Sequence, residues 1–468
     1  MKRVLVVALV AAVAFVAFTM PEPDAPAGPD FTGPEERESA ASATASVWYC
    51  TWAASGALRD TSVMIAANTP VTGSLTLPQQ IVGDDPDTDV VTLDTAGARV
   101  VYVGEIVRRG DTPLFVEFDD GPAAVAAIVE SEALLTGDGC LARIPKVWEL
   151  PGGTTREGRT TTLRLFNPFP ELAKVTVSGS SESGETGLVD LQSIDVDGRT
   201  WQDIQLNELI PLLNELSLTV TTSEGLVIPS LVVAGSSDEA SWPGMATATY
   251  WEFPVATSSG DYRPSLMLSN TGSEPVAATI DVYTAEGVTL DAREVTVDPF
   301  IPRRVDLGDL ADGAMGARVR AGAPVSAVVI AEESTVVDEA TGEDAGEGTE
   351  ENAENPGGGD RIAGTVGISR PATTWLLPGL QGFSGADSTV WLMNTGSEAA
   401  TVALQPLGLQ SLPTAKQSVP PGTVLGVPLG YDPAVGGYFV ESSVPISVAW
   451  SAEAEKGLVF VAGTVVDE

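Results

Sequence analysis

Histidine is absent from this chain of 468 residues. That removes Ser-His-Asp and Cys-His nucleophile activation, His-ligated zinc and the usual proton shuttle near neutral pH. Basic residues are scarce as well, with 24 Lys and Arg against 64 Asp and Glu and a net charge of −40. Phosphate neutralisation needs clustered Lys and Arg, so no nucleic-acid partner is expected, and an anionic lipid surface would repel the folded part. Any catalysis would rest on carboxylates, Tyr, Lys or Ser. A carboxylate-pair hydrolase needs two acids across a cleft, and among 64 acids nothing singles a pair out. No catalytic residue, cofactor or metal site is therefore expected, and the chain reads as a non-enzyme.

Present instead is a repeat. A tryptophan is followed 19 or 20 residues later by an asparagine that closes an alternating apolar stretch, in the pairs Trp48/Asn68, Trp148/Asn167, Trp251/Asn270 and Trp375/Asn394. The local text agrees: LRLFN at Leu163–Asn167, LMLSNTGSEP at Leu266–Pro275 and WLMNTGSEAA at Trp391–Ala400. A period near 100 residues is too long for a solenoid turn and suits four copies of a small domain. Glycine (48) and proline (33) punctuate short runs rich in Val, Thr and Leu, the mark of antiparallel sheet. About seven short strands per repeat predict an all-β chain of four tandem antiparallel β-sandwich (Ig-like) domains. Their expected bounds are 47–146, 147–249, 250–373 and 374–468. A propeller with two blades per repeat would need Trp and Asn at half the period, where they do not recur.

Lys2 and Arg3 precede an apolar run from Val4 to Met20. This N-terminal hydrophobic segment, residues 1–20, reads as an export signal, either a cleaved signal peptide or an uncleaved signal anchor. Residues 21–46 read as a disordered Pro/Gly/Glu-rich spacer. The bulk of the chain is then expected outside the membrane, anchored or secreted. The only two cysteines, Cys50 and Cys140, bracket the first repeat and are expected to form a disulfide in an oxidising compartment.

The later repeats show the plan. ATIDV at Ala278–Val282 matches TVALQ at Thr401–Gln405, and the segment Gly316–Glu333 matches Gly437–Glu453 as two strands joined by a tight turn before a proline. A closing strand AGTVGI at Ala363–Ile368 is echoed by AGTVVD at Ala462–Asp467, which predicts four complete units. The second repeat departs at Trp201–Leu216, where spacing predicts one or two helical turns broken by Pro211. The third carries a 22-residue surplus at about 338–360, free of basic residues and expected as a disordered loop. Asp85-Pro86-Asp87-Thr88-Asp89 mimics a calcium loop, but Val90 and Ala96 occupy the positions that need Gly and Glu, so a surface turn is expected.

A tryptophan at the same place in every copy predicts core or inter-repeat packing, and the repeated asparagine a turn that satisfies backbone groups. Trp52, Trp201, Trp242, Trp391 and Trp450 do not recur and are the expected candidates for a binding surface. The exported N-terminus, the tandem NTGSEP-like strands and the segment VDLGDLADGAMGARVRAGAPVSA (Val305–Ala327) together resemble an uncharacterised family of secreted actinobacterial proteins, a domain of unknown function. The resemblance implies an extracytoplasmic β-rich protein and assigns no site residues. The function expected is a non-enzymatic scaffold, spacer or interaction module of the cell envelope. A binder of envelope polysaccharide through surface aromatics is the alternative, with an envelope protein or polysaccharide as partner and the membrane reached through the N-terminal segment.

Overall fold

Two strands in the first repeat show how the sequence builds the molecule. In Asp60–Ala67 and Ala123–Glu130 nearly every side chain is buried, because each strand has two dry faces. Val63, Ile65, Val125 and Ala127 point into a core shared with Trp48. Met64, Ala126 and Ile128, on the alternate face, pack instead against Trp375, Val448 and Trp450, more than 200 residues away in sequence. Strand periodicity of two sends successive residues to opposite faces, so an unbroken apolar run marks a strand covered on both sides.

The structure is a computed structural model. It describes residues 47–466 apart from 56–58, 79–85, 109, 120, 133, 237, 258–261, 334–360, 380–385, 409–412 and 431–434. The N-terminal hydrophobic segment, the spacer and the 338–360 loop lie outside the described residues. The described part is all-β, with antiparallel sheets throughout and only short helical turns at Val103–Ile106, Val189–Leu191 and Leu206–Leu209. No described helix is long and apolar enough to cross a membrane.

One strand order appears four times. In the first stretch, Val47–Cys50, Leu114–Phe118, Val71–Leu77 and Asp87–Leu93 form one sheet, and Gly97–Tyr102, Asp60–Ala67, Ala123–Glu130 and Leu135–Gly139 the other. The second repeats this with Val147–Gly153, Leu216–Glu224, Ala173–Ser181 and Gly184–Thr186 beside Thr200–Gln205, Thr160–Asn167, Ile228–Ala234 and Glu239–Pro243. In the third and fourth the two sheets fuse, because one long strand serves both: Met315–Glu333 and Val435–Ala454.

That fusion corrects the expected tight turn before Pro324. Residues up to Ala321 pair with Val276–Tyr283, and residues from Ser326 onward pair with Tyr262–Ser269, so the chain passes from one sheet to the other without reversing. Pro324 falls between the two ladders, where no backbone N–H is needed. In the first two stretches the corresponding strand is broken, and Gly121 (φ 81°) and Gly225 (φ 65°) adopt the left-handed backbone that a glycine tolerates there.

Three other expectations change. Of the one or two helical turns expected in Trp201–Leu216, one forms, at Leu206–Leu209 before Pro211, while Trp201 itself lies in the Thr200–Gln205 strand. Asp87–Leu93 is a strand paired with Val71–Leu77 rather than a surface turn. The echo between Ala363–Ile368 and Ala462–Asp467 is three residues out of register. The structure sets Ile368 against Glu252 and Thr464 against Leu376, so Gly367, not Gly364, corresponds to Gly463. Short small-residue strings such as AGTV recur without fixing register, whereas pairing to the Trp strand fixes it.

The last hairpin strand of each stretch faces inward on the assembly. Leu135–Gly139 lies against Glu239–Pro243, which lies against Ile362–Val366, then Gly457–Ala462, which returns to Leu135–Gly139. The four repeats therefore close in a cycle, with the first packed on the fourth.

Candidate functional site

The recurring asparagines make a shared clamp in three of four copies. Asn270 Nδ2 donates to the carbonyls of Glu274 (2.8 Å) and Val297 (3.0 Å), while its Oδ1 accepts from Gly272 N–H at 2.9 Å. Asn394 does the same with Glu398, Val419 and Gly396, and Asn167 with Glu171, Val196 and Phe169. Each satisfies three backbone groups beside a tight loop, which is why the residue recurs. Asn68 is half-buried, and its Oδ1 has no partner among the described residues.

The recurring tryptophans are all buried and each faces a valine across the sheet: Trp48 and Val116, Trp148 and Val220, Trp251 and Val319, Trp375 and Val440. Trp148 and Trp251 donate Nε1–H to the carbonyls of Val227 and Val325. A glycine lies against each indole in three copies. A Cβ added to Gly244, Gly367 or Gly463 would fall within 2.9–3.0 Å of Trp148, Trp251 or Trp375. In the first copy that position is Cys140, bonded to Cys50 as expected. Trp48 Nε1 finds no acceptor among the described residues.

The residue after each recurring tryptophan reaches the next repeat. Glu149 accepts from Thr219 (3.0 Å) within its own repeat and from Thr271 (3.2 Å) in the next. Glu252 accepts from Thr395 at 2.7 Å and from Ser447, both in the fourth repeat, and from Tyr250. In the first copy the position is Tyr49, whose ring stands 6.1 Å from Phe169 of the second. In the fourth it is Leu376, grouped with Ala66 and Ala124 of the first. Thr271 and Thr395 each directly follow a clamp asparagine, so one loop serves both the clamp and the junction. The sequence reading missed Glu149 and Glu252; the WE dipeptide after two of the recurring tryptophans was the available signal.

Ion pairs follow the same cycle. Arg59 pairs with Glu239, Arg156 and Arg159 with Glu332, and Lys456 with Glu130, while Arg361 reaches the Ala454 carbonyl at 3.5 Å. Burial pushes the Glu332 carboxyl up, but Arg156, Arg304 and Arg159 outweigh it and hold the group below its usual range. Glu149 has no such cation, so burial prevails over its two threonine donors and its pKa rises to about 7. Asp238, which accepts from Ile362 N–H at 3.0 Å across the second junction, is likewise raised to about 7 by burial.

Four of the five tryptophans expected on a binding surface are at the junctions. Trp52, with Ala54 and Val129, packs on Val232 of the second repeat. It lies under the Arg164 guanidinium at 4.2 Å and donates to Glu239 at 3.0 Å. Trp242 abuts Gly364 of the third, Trp391 joins a cluster with Tyr262 and Tyr283 of the third, and Trp450 packs with Met64 of the first. Composition alone does not separate a tryptophan that binds a ligand from one that binds a neighbouring repeat, since both need a large amphipathic ring. Trp201 alone of the five is half-buried.

The class defined by this arrangement is an all-β protein in which one two-sheet topology, repeated four times, closes on itself. The chain belongs to a family of unknown function (DUF5719), whose model matches residues 134–341 and again 243–459. The two matches overlap and are offset by about one repeat, in keeping with a family unit that spans two neighbours. No curated protein matches the chain.

Proposed function

We propose that the chain is a set of four immunoglobulin-like β-sandwich units serving as a non-enzymatic, extracytoplasmic scaffold or interaction module of the cell envelope. The observation that carries this reading is where the chemistry-bearing side chains are spent. Glu149, Glu252, Glu239 and Glu332 accept from the adjacent repeat, and four tryptophans fill the junctions between repeats. The Cys50–Cys140 disulfide favours an oxidising compartment, and the net charge of −40 favours solubility there. The polysaccharide alternative now rests on Trp201.

The test is a glycan array and an in-cell photo-crosslinking experiment with the full chain, beside a mass measurement of the N-terminus in membrane and medium fractions. Crosslinks to envelope proteins without saturable glycan capture are expected. Glycan capture lost in Trp201→Ala would favour the alternative. Turnover of a glycan, abolished by a single Asp→Asn or Glu→Gln change, would overturn the non-enzymatic reading.

A further inference from the structure

The second repeat carries a feature that the closed arrangement leaves unused. The Thr200–Gln205 strand is the outer member of its sheet and, among the described residues, pairs only with Thr160–Asn167. Its counterparts in the first and fourth repeats are covered: Gly97–Tyr102 of the first repeat packs on strands of the fourth, and Val424 in the fourth donates its N–H to Thr284 of the third at 3.1 Å. Among the described residues, no backbone bond from another repeat reaches 200–205. Beside this strand, Ile194–Val196 ends the opposite sheet, and the two edges border an open groove of about 470 Å³.

The groove is built in two tiers. Its floor is apolar, from the buried Leu191, Ile194 and Ile204. Its rim holds the exposed carboxylates Asp190, Asp195 and Glu208, none in a salt bridge among the described residues although Lys174 stands opposite Asp195 across the ladder, together with Asp203, which Arg164 engages at 2.7 Å. Leu212, on the turn just past it, is 72% exposed at φ 64°, a costly setting for leucine. The turn is held there by hydrogen bonds of Thr154 and Thr155 to Ile210, Leu212 and Leu213.

We propose that this groove binds an extended, basic segment of a partner protein by strand addition to Thr200–Gln205. An exposed edge offers main-chain donors and acceptors, and pockets for alternate side chains supply selectivity. Apolar residues of the incoming strand would lie on Ile194 and Ile204, and its lysines or arginines would meet the rim carboxylates. The net charge of the chain steers such a segment toward it. This inference rests on the interaction-module reading and adds the partner's chemistry to it.

The test uses the full chain and a capped peptide of alternating lysine and valine, read by fluorescence anisotropy and by amide hydrogen exchange. Saturable binding with new protection confined to residues 200–205 is expected. The double change Asp190→Lys, Asp195→Lys should weaken it about tenfold or more and confer binding of the matching glutamate–valine peptide. Binding that ignores the charge reversal, or that protects amides elsewhere, overturns the proposal. So does calcium protecting the same amides without peptide, or protection that appears with protein concentration alone, which would assign the edge to a second copy. Envelope crosslinks that persist in the double variant would leave the scaffold reading standing while the groove assignment falls.

Discussion

The first repeat and the other three solve one problem with different chemistry. Repeats two to four fix the loop after the Asn strand with a three-bond amide clamp and seat a glycine against the Trp ring. The first keeps the asparagine, as Asn68, without the clamp, and puts Cys140 where the glycine would be. A covalent bond between Cys50 and Cys140 then ties the Trp strand to the closing segment. Sequence recurrence of a residue is therefore not recurrence of its role: the role follows from whether the loop offers carbonyls at the right distance.

The junctions differ in the same way. Those between repeats two and three and between three and four use a buried glutamate and a threonine, whereas that between one and two uses Tyr49 on Phe169. Burial, followed by the field of Glu117, raises the Tyr49 hydroxyl to about 12, so this contact does not titrate near neutrality. The Glu149 junction does.

The largest expected effect breaks the comparison at the disulfide. Changing both Cys50 and Cys140 to alanine should lower the stability of the first repeat by about 4–5 kcal/mol in the chain-entropy picture. Denaturant unfolding with a probe in that repeat measures it, and an unchanged midpoint would remove the staple from the argument. Next, Asn270→Ala strands three backbone groups and should cost about 3 kcal/mol, while Asn68→Ala should stay within about 0.5 kcal/mol. Equal losses at the two positions would show that Asn68 holds a clamp after all.

A pH series sharpens the junction contrast. Glu149 and Asp238 have folded pKa values of about 7, raised by burial, against roughly 4 when unfolded. Groups raised in this way bind protons in the folded state first. Their stabilising contribution is complete below the unfolded pKa and is lost as pH rises through 7. Unfolding midpoints should thus rise as pH falls from about 8 to about 5. In Glu149→Gln the slope should flatten; a slope identical to that of the parent would mean that Glu149 does not titrate there. A single junction contact is a smaller lever: Thr271→Val should cost about 1 kcal/mol for one lost hydrogen bond to Glu149, read by the same denaturant melts.

Much of the organisation was legible because it repeats. The Trp and Asn spacing located the strands that hold them, and the exclusive cysteine pair announced its bond. Junction chemistry was not legible for Trp52, Trp242, Trp391 and Trp450. Each occurs once and touches a residue far away in sequence, such as Val232, Gly364, Tyr262 or Met64. The groove beside Thr200–Gln205 had a partial signal, since the text from Trp201 to Leu216 departs from its counterparts, but a one-turn helix and an uncovered edge look alike in composition.

What the sequence determined by itself is the alternation of apolar and polar residues that commits each segment to a strand with a defined inner face, because side-chain direction along a strand has a period of two. The absence of imidazole, the acidic balance and the covalent staple are equally properties of the text. Which outer faces become inner ones was decided only in three dimensions. Met64 and Ala126 are buried because the fourth repeat returns to the first, and that closure depends on how four twisted sheet pairs pack in succession, a geometry that no local pattern encodes.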